Sequence, residues 1–116
     1  MDALQGLQAW TRACGLASDT YRAMGACSDR VFREQVTRAS LAVAASIAEG
    51  YERGSRPQFA QYLRSARGSC AELRTQLYIA ADIGLVENDT AHRLVAELLE
   101  LSKTLQTLIN RCERRR

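Results

Sequence analysis

A chain of 116 residues with 47% hydrophobic and 25% charged side chains is long enough for one domain with a hydrophobic core and too short for two. The net charge of +3 is evenly spread: residues 1–28 carry two acids and two bases, 29–56 four and five, 57–84 two and three, and 85–116 five and six. Neither half is basic or acidic, so charge alone does not point to nucleic acid, and no apolar run approaches the ~20 residues that cross a bilayer.

A single proline and long apolar periodicities predict an all-α protein. Cys14, Cys27, Cys70 and Cys112 are scattered, with no CxxC and no Cys/His cluster. No basic-plus-apolar signal opens the chain. The expectation is therefore a cytoplasmic protein with reduced thiols.

The first predicted helix covers about 3–25. Its apolar stripe is read from Leu7, Trp10, Cys14, Ala17, Tyr21 and Met24, at alternating steps of three and four. Gly25 to Asp29 reads as a connection, with Ser28 or Asp29 as the next cap.

The second helix covers about 29–53. Phe32, Val36, Ala39, Val43, Ile47 and Gly50 mark its core face. A second stripe, Gln35, Arg38, Ala42, Ser46, Glu49 and Arg53, has small residues at its centre. It suits either solvent or close contact with another helix or subunit. Ser55 and Pro57 announce the third helix, about 57–84, and Gly84 sits where a left-handed cap belongs. Phe59, Leu63, Ala66, Cys70, Leu73, Leu77 and Ala80 form its apolar row.

Asn88 or Asp89 opens the fourth helix, about 89–113, with a heptad seam of Leu94, Leu98, Leu101, Leu105, Leu108 and Cys112, widened by Val95, Leu99 and Ile109. Four helices with short connections make residues 1–116 a single up-down-up-down antiparallel four-helix bundle.

The central segment then resembles a known family. Gln35-Val36-x-Arg38-Ala39, Ser46-Ile47-Ala48-Glu49-Gly50-Tyr51-x-Arg53, Phe59, Tyr62-Leu63, Gly68-Ser69, Glu72-Leu73, Thr75-Gln76-Leu77 and Gly84 look like the 23S rRNA-intervening-sequence four-helix-bundle family, also called the S23 ribosomal protein family. The likeness covers about residues 30–86. It implies an up-down bundle, a ring-shaped homopentamer and no catalytic activity. Some relatives are encoded within insertions in ribosomal RNA genes, and a similar bundle serves diversity-generating retroelements as an RNA- and reverse-transcriptase-binding accessory protein. The resemblance thus implies RNA as a partner class. Many relatives carry Pro-Ser-Asn before Ile-Ala-Glu-Gly, where this chain has Ala44-Ala45-Ser46. Losing the proline predicts a straighter second helix.

Chemistry at a site finds little support. His92 is the only histidine, and Asp89-x-x-His92 is the nearest approach to the Glu-x-x-His pairs of a di-iron bundle. A serine or cysteine nucleophile would need a base and has only His92 on offer, and no GxGxxG or GxxxxGK[ST] is present. Glu49 and Glu72 read as anchors for Arg38, Arg53 or Arg74 rather than as a catalytic pair. The expectations are no enzyme activity, no metal, no cofactor, no membrane and no small-molecule substrate.

Gln35, Arg38, Ala42, Ser46, Glu49, Gly50 and Glu72 are expected at helix–helix or subunit contacts. Tyr51, Arg53 and Arg56, with Arg111, Arg114, Arg115 and Arg116, are the candidates for RNA contact, since arginine beside an aromatic ring holds phosphate and stacks a base. The reading is a non-enzymatic homo-oligomeric bundle associating with RNA or an RNA–protein complex. The alternative is a protein-interaction scaffold with no nucleic-acid role.

Overall fold

Capping side chains at two connections and a glycine at the third fix where the helices begin and end. The computed structural model describes residues 3–4 and 7–114, with α1 at Gln8–Ala23, α2 at Arg30–Glu52, α3 at Arg56–Asp82 and α4 at Asn88–Glu113. Asp29 caps α2, its carboxylate accepting from the Phe32 N–H at 3.0 Å. Ser55 Oγ caps α3 by accepting from the Gln58 N–H at 3.3 Å, while its hydroxyl donates to Gln58 Oε1 at 3.1 Å, with Pro57 in the first turn.

Gly84 adopts φ +81° beyond α3. The Leu85 N–H then reaches the Ala80 carbonyl at 2.8 Å and the Gly84 N–H the Ala81 carbonyl at 3.2 Å, the paired bonds of a Schellman ending.

Two expected helix starts differ. Glu87, not Asn88 or Asp89, holds the N-cap position of α4 and makes no side-chain cap bond; Asp89 lies in the first turn, where its charge suits the helix dipole. α1 begins at Gln8 behind an extended Leu7, later than the expected residue 3, and part of that expectation, at residues 5 and 6, lies outside the described residues.

Each helix runs antiparallel to its neighbours. Arg64 meets Glu113, Arg67 meets Gln106 and Arg74 donates to Ser102 Oγ at 3.2 Å, so α3 and α4 run in opposite directions. Arg12 to Thr104 at 3.0 Å and Arg93 to Asp19 at 3.9 Å do the same for α1 and α4. α2 and α4 each pack on both α1 and α3, which leaves α1 and α3 on a diagonal of a bundle measuring 50 × 25 × 21 Å.

Core rows on α2 and α3 follow the predicted periodicity, from Val36 to Gly50 and from Leu63 to Ala80. On α4 the seam holds from Leu94 to Leu105, after which Ile109 takes the buried place and Leu108 and Cys112 are half-buried. A straight helix drifts about 20° per heptad from a strict seven-residue repeat, which moves the stripe by one residue at the far end.

The α1 stripe is the larger correction. Tyr21 is 69% exposed, and the buried row is Ala9, Ala13, Leu16 and Thr20, continued by Met24. Small Ala9 and Ala13 face the core while the larger Trp10 sits half-buried at its edge. Thr20 is buried without penalty because its hydroxyl donates to the Leu16 carbonyl at 2.7 Å. α2 continues through Ala44, Ala45 and Ser46 as one helix, as the absence of a proline there predicts.

Candidate nucleic-acid interface

The α2–α3 corner is built around the bare α-carbon of Gly50. Gly50 is buried, and a Cβ placed on it would lie 2.4 Å from Tyr62 Cβ and 3.2 Å from Phe59 Cδ1. That approach brings together the aromatic and charged residues on either side of the turn. Tyr51 meets Phe59 edge to face, with ring centroids 5.9 Å apart and planes at 80°. Glu49 accepts from Arg53 at 3.0 Å and from the Tyr62 hydroxyl at 3.3 Å. The Arg53 guanidinium also lies 5.1 Å from the Tyr62 ring centroid. The bond from Glu49, then the neighbouring Tyr62, raises the Arg53 pKa further and keeps it charged.

Antiparallel packing delivers the end of α4 to the same place. Arg64 on α3 pairs with Glu113 on α4, and the charge of Arg56 is felt by the Cys112 thiol, which burial otherwise pushes up. The two arginine clusters, far apart in sequence, therefore share one end of the bundle. In the half formed by residues 7–15, 46–70 and 104–114, Arg53, Arg56, Arg64 and Arg67 stand with Arg12, Arg111 and Arg114 against only Glu49, Glu52 and Glu113. The half formed by residues 16–45 and 71–103 has nine acids against seven bases. Folding thus separates charge that is evenly spread along the sequence.

Among the expected RNA-contact residues, Tyr51 is half-buried and Arg53, Arg56, Arg111 and Arg114 are exposed; Arg115 and Arg116 lie outside the described residues. Among the described residues no ion pair engages Arg56, Arg111 or Arg114, whereas Arg53 and Arg64 are paired with carboxylates. Arg64, Arg67 and Tyr62 belong to this end as well. Periodicity alone does not reveal Arg64 and Arg67, because their place depends on which helix α3 pairs with.

The expected contact stripe divides. Gly50 is buried, Ala42 and Ser46 are half-buried, and Gln35, Arg38, Glu49 and Glu72 are exposed. Of the expected anchors only Glu49 to Arg53 forms, as a bond along α2. Arg74 donates to Ser102 instead, and Arg38 and Glu72 are in no ion pair among the described residues.

His92 is exposed near the start of α4, and among the described residues no group of three or more His, Cys, Asp or Glu side chains converges on a point. All four cysteines are free thiols, with Cys27 and Cys70 buried and Cys14 and Cys112 half-buried. Burial pushes the Cys14 and Cys70 thiols up, with Ser102 and Arg74 partly offsetting this at Cys70. Among the described residues no helix is long and apolar enough to cross a membrane.

Comparison with curated proteins gives no match. The family model described as 23S rRNA-intervening sequence protein matches residues 5–107, which take in α1, α2, α3 and most of α4. By a match over most of its length, the chain belongs to the 23S rRNA-intervening sequence protein family.

Proposed function

We propose that this chain is a non-enzymatic, homo-oligomeric bundle that associates with RNA, alone or within an RNA–protein complex, through its arginine-rich end. The convergence of Arg53 and Arg56 with Arg111 and Arg114 beside Tyr51 supports this reading most directly. Three of these arginines, Arg56, Arg111 and Arg114, are exposed and carry no ion pair among the described residues, so their guanidinium groups are available to phosphate. Tyr51, half-buried at the same end of the bundle and edge to face with Phe59, offers an aromatic face to an unpaired base, which favours single-stranded or looped RNA over a duplex.

One copy offers only a few phosphate contacts. Repetition in an oligomer sums them, and the family resemblance implies five copies in a ring. Scattered free thiols suit a cytoplasmic setting. His92, the single histidine of the sequence, is exposed near the start of α4, at the end of the bundle opposite the arginine-rich one.

A scaffold reading is favoured by a different observation, the large apolar side chains left on the surface, with Tyr78 72% and Tyr21 69% exposed. The two readings separate by salt. Binding of a labelled single-stranded RNA should weaken with a log–log slope near −0.7 for each phosphate contact. Absent or salt-insensitive binding would overturn the RNA reading. One stoichiometric protein partner retained after nuclease treatment would support the scaffold.

A further inference from the structure

Phosphate contacts and stacking hold any RNA strand alike, so a base is told apart only by hydrogen bonds to its edge. One pair of side chains at the arginine-rich end offers such bonds. Arg53 Nη2 donates to Glu49 Oε2 at 3.0 Å, and the Tyr62 hydroxyl donates to the same oxygen at 3.3 Å. Two donors fill the acceptor sites of Oε2. Glu49 Oε1 accepts no hydrogen bond among the described residues, and the Glu49 side chain is 56% exposed. Arg53 spends one N–H on this pairing and has others to give.

Tyr62 grips both members. Its hydroxyl holds the carboxylate, and its ring lies 5.1 Å from the Arg53 guanidinium. The close approach of α2 and α3 at Gly50 is what brings Tyr62 within reach. Among the described residues the other carboxylates of this end are not held in this way. Glu113 meets Arg64 with no third group, and exposed Glu52 is in no ion pair. A held pair selects among ligands, whereas a free one would turn to suit any base.

A free carboxylate oxygen beside guanidinium N–H groups repeats the acceptor, donor, donor order of the base-pairing edge of guanine. We propose, resting on the RNA reading above, that Glu49 and Arg53 stand in for guanine and read an unpaired cytosine in the bound strand. The cytosine N4 amine donates to Glu49 Oε1, and Arg53 donates to N3 and O2 of the same base. Arg56, exposed and three residues along the chain, serves the neighbouring phosphates. Uracil and guanine each carry an N–H donor at the middle of this edge, which meets the donors of Arg53 whichever way the base turns. Uracil also sets a carbonyl against the carboxylate. Adenine keeps the amine and one ring acceptor and falls between.

Cytosine and uracil are close in size, so two pyrimidine strands separate edge reading from stacking. Fluorescence anisotropy at one salt concentration compares a short uridine strand with one whose central uridines are cytidines. The cytidine strand should bind wild type at least about 5-fold more tightly, the lower end for a two-bond base contact. Glu49→Gln removes an acid and frees Arg53, so the uridine strand should bind more tightly. The same change turns the acceptor for the N4 amine into an amide that also donates, so the cytidine preference should vanish. Tyr62→Phe keeps the ring and loses the hydroxyl; it should shrink the preference and leave uridine affinity unchanged. Helical circular dichroism confirms that each variant folds.

Equal binding of the two strands by wild type, or a cytidine preference that survives Glu49→Gln, would overturn the base reading and leave RNA association standing. An undiminished preference in Tyr62→Phe would overturn the part given to Tyr62. Binding of neither strand would remove the RNA reading and this inference with it. Cytidine monophosphate should compete poorly, because it lacks the neighbouring phosphates. Competition equal to that of the strand would overturn RNA as the ligand in favour of a free nucleotide.

Discussion

The α-carbon of Gly50 and the Cβ of Tyr62 are packed so closely that a methyl group on Gly50 would sit 2.4 Å from its neighbour. Alanine favours a helix over glycine by about 1 kcal/mol, so at an open position the substitution stabilises. At Gly50 the clash falls on the root of a side chain, which moves only if α2 and α3 separate. Overpacking of this kind costs about 1–3 kcal/mol and outweighs the propensity gain. Gly50→Ala should therefore lower the urea midpoint. Gly68→Ala, on exposed α3 surface with nothing within 4 Å, should raise it at the same protein concentration. The same sign for both would show that the corner is not tightly packed.

Gly84 sets a different kind of constraint. A Cβ there meets nothing within 4 Å, but the backbone has φ +81°. Gly84→Ala should cost about 1–2 kcal/mol through backbone strain alone, and Gly84→Asn less, because asparagine tolerates the left-handed region better. Thermal melts of the two variants, read side by side, measure the difference; equal stability would mean the Schellman ending bears no strain.

Glu49 holds Arg53 at 3.0 Å and so limits what that arginine offers to a ligand. Arg56→Ala and Arg111→Ala should each make the RNA salt slope shallower by about 0.7 for every phosphate that the arginine neutralises, while Arg53→Ala should change it less. Glu49→Gln should tighten RNA binding and steepen its salt dependence, by freeing Arg53 and removing an acid. Fluorescence anisotropy across a salt series checks all four. Equal slopes throughout would take RNA away from this end of the bundle.

Much of the fold was legible because its signals are local. Asp29, Ser55 with Pro57, and Gly84 mark helix ends through their own side chains or backbone, and the rows on α2 and α3 repeat at helical spacing. α1 misled because two overlapping rows fit the same spacing. The row with Trp10 and Tyr21 looks more apolar than the one with Ala9, Ala13 and Thr20, yet close packing selected the small residues, and Thr20 satisfies its hydroxyl within its own helix.

At the candidate site the individual arginines were legible and their convergence was not. Dividing the sequence into consecutive quarters hides a basic end, because antiparallel packing joins Arg56 to the neighbourhood of Cys112 and Arg64 to Glu113. Arg38 was expected to find a carboxylate inside the chain. It is exposed and carries no ion pair among the described residues.

Cys70 gives a prediction about alkaline stability. It is fully buried on α3, and burial raises its thiol above the ordinary value of 9.0, with Ser102 and Arg74 pulling back in part. In the unfolded chain the thiol ionises near the ordinary value while the folded chain still holds its proton. Above that pH the unfolded state binds fewer protons, so stability falls as pH rises and levels off once the folded thiol ionises. The contribution is fully present below the ordinary thiol range. Cys14 and Cys112 are raised in the same direction, so part of the alkaline loss survives without Cys70. Cys70→Ala should cost about 1 kcal/mol at neutral pH through poorer packing. Between neutral and strongly alkaline pH its urea midpoint should then fall less than that of wild type, because the buried thiol no longer contributes. Equal falls would mean that the Cys70 thiol ionises as easily in the folded chain as in the unfolded one, and that the α3–α4 interface is open to water.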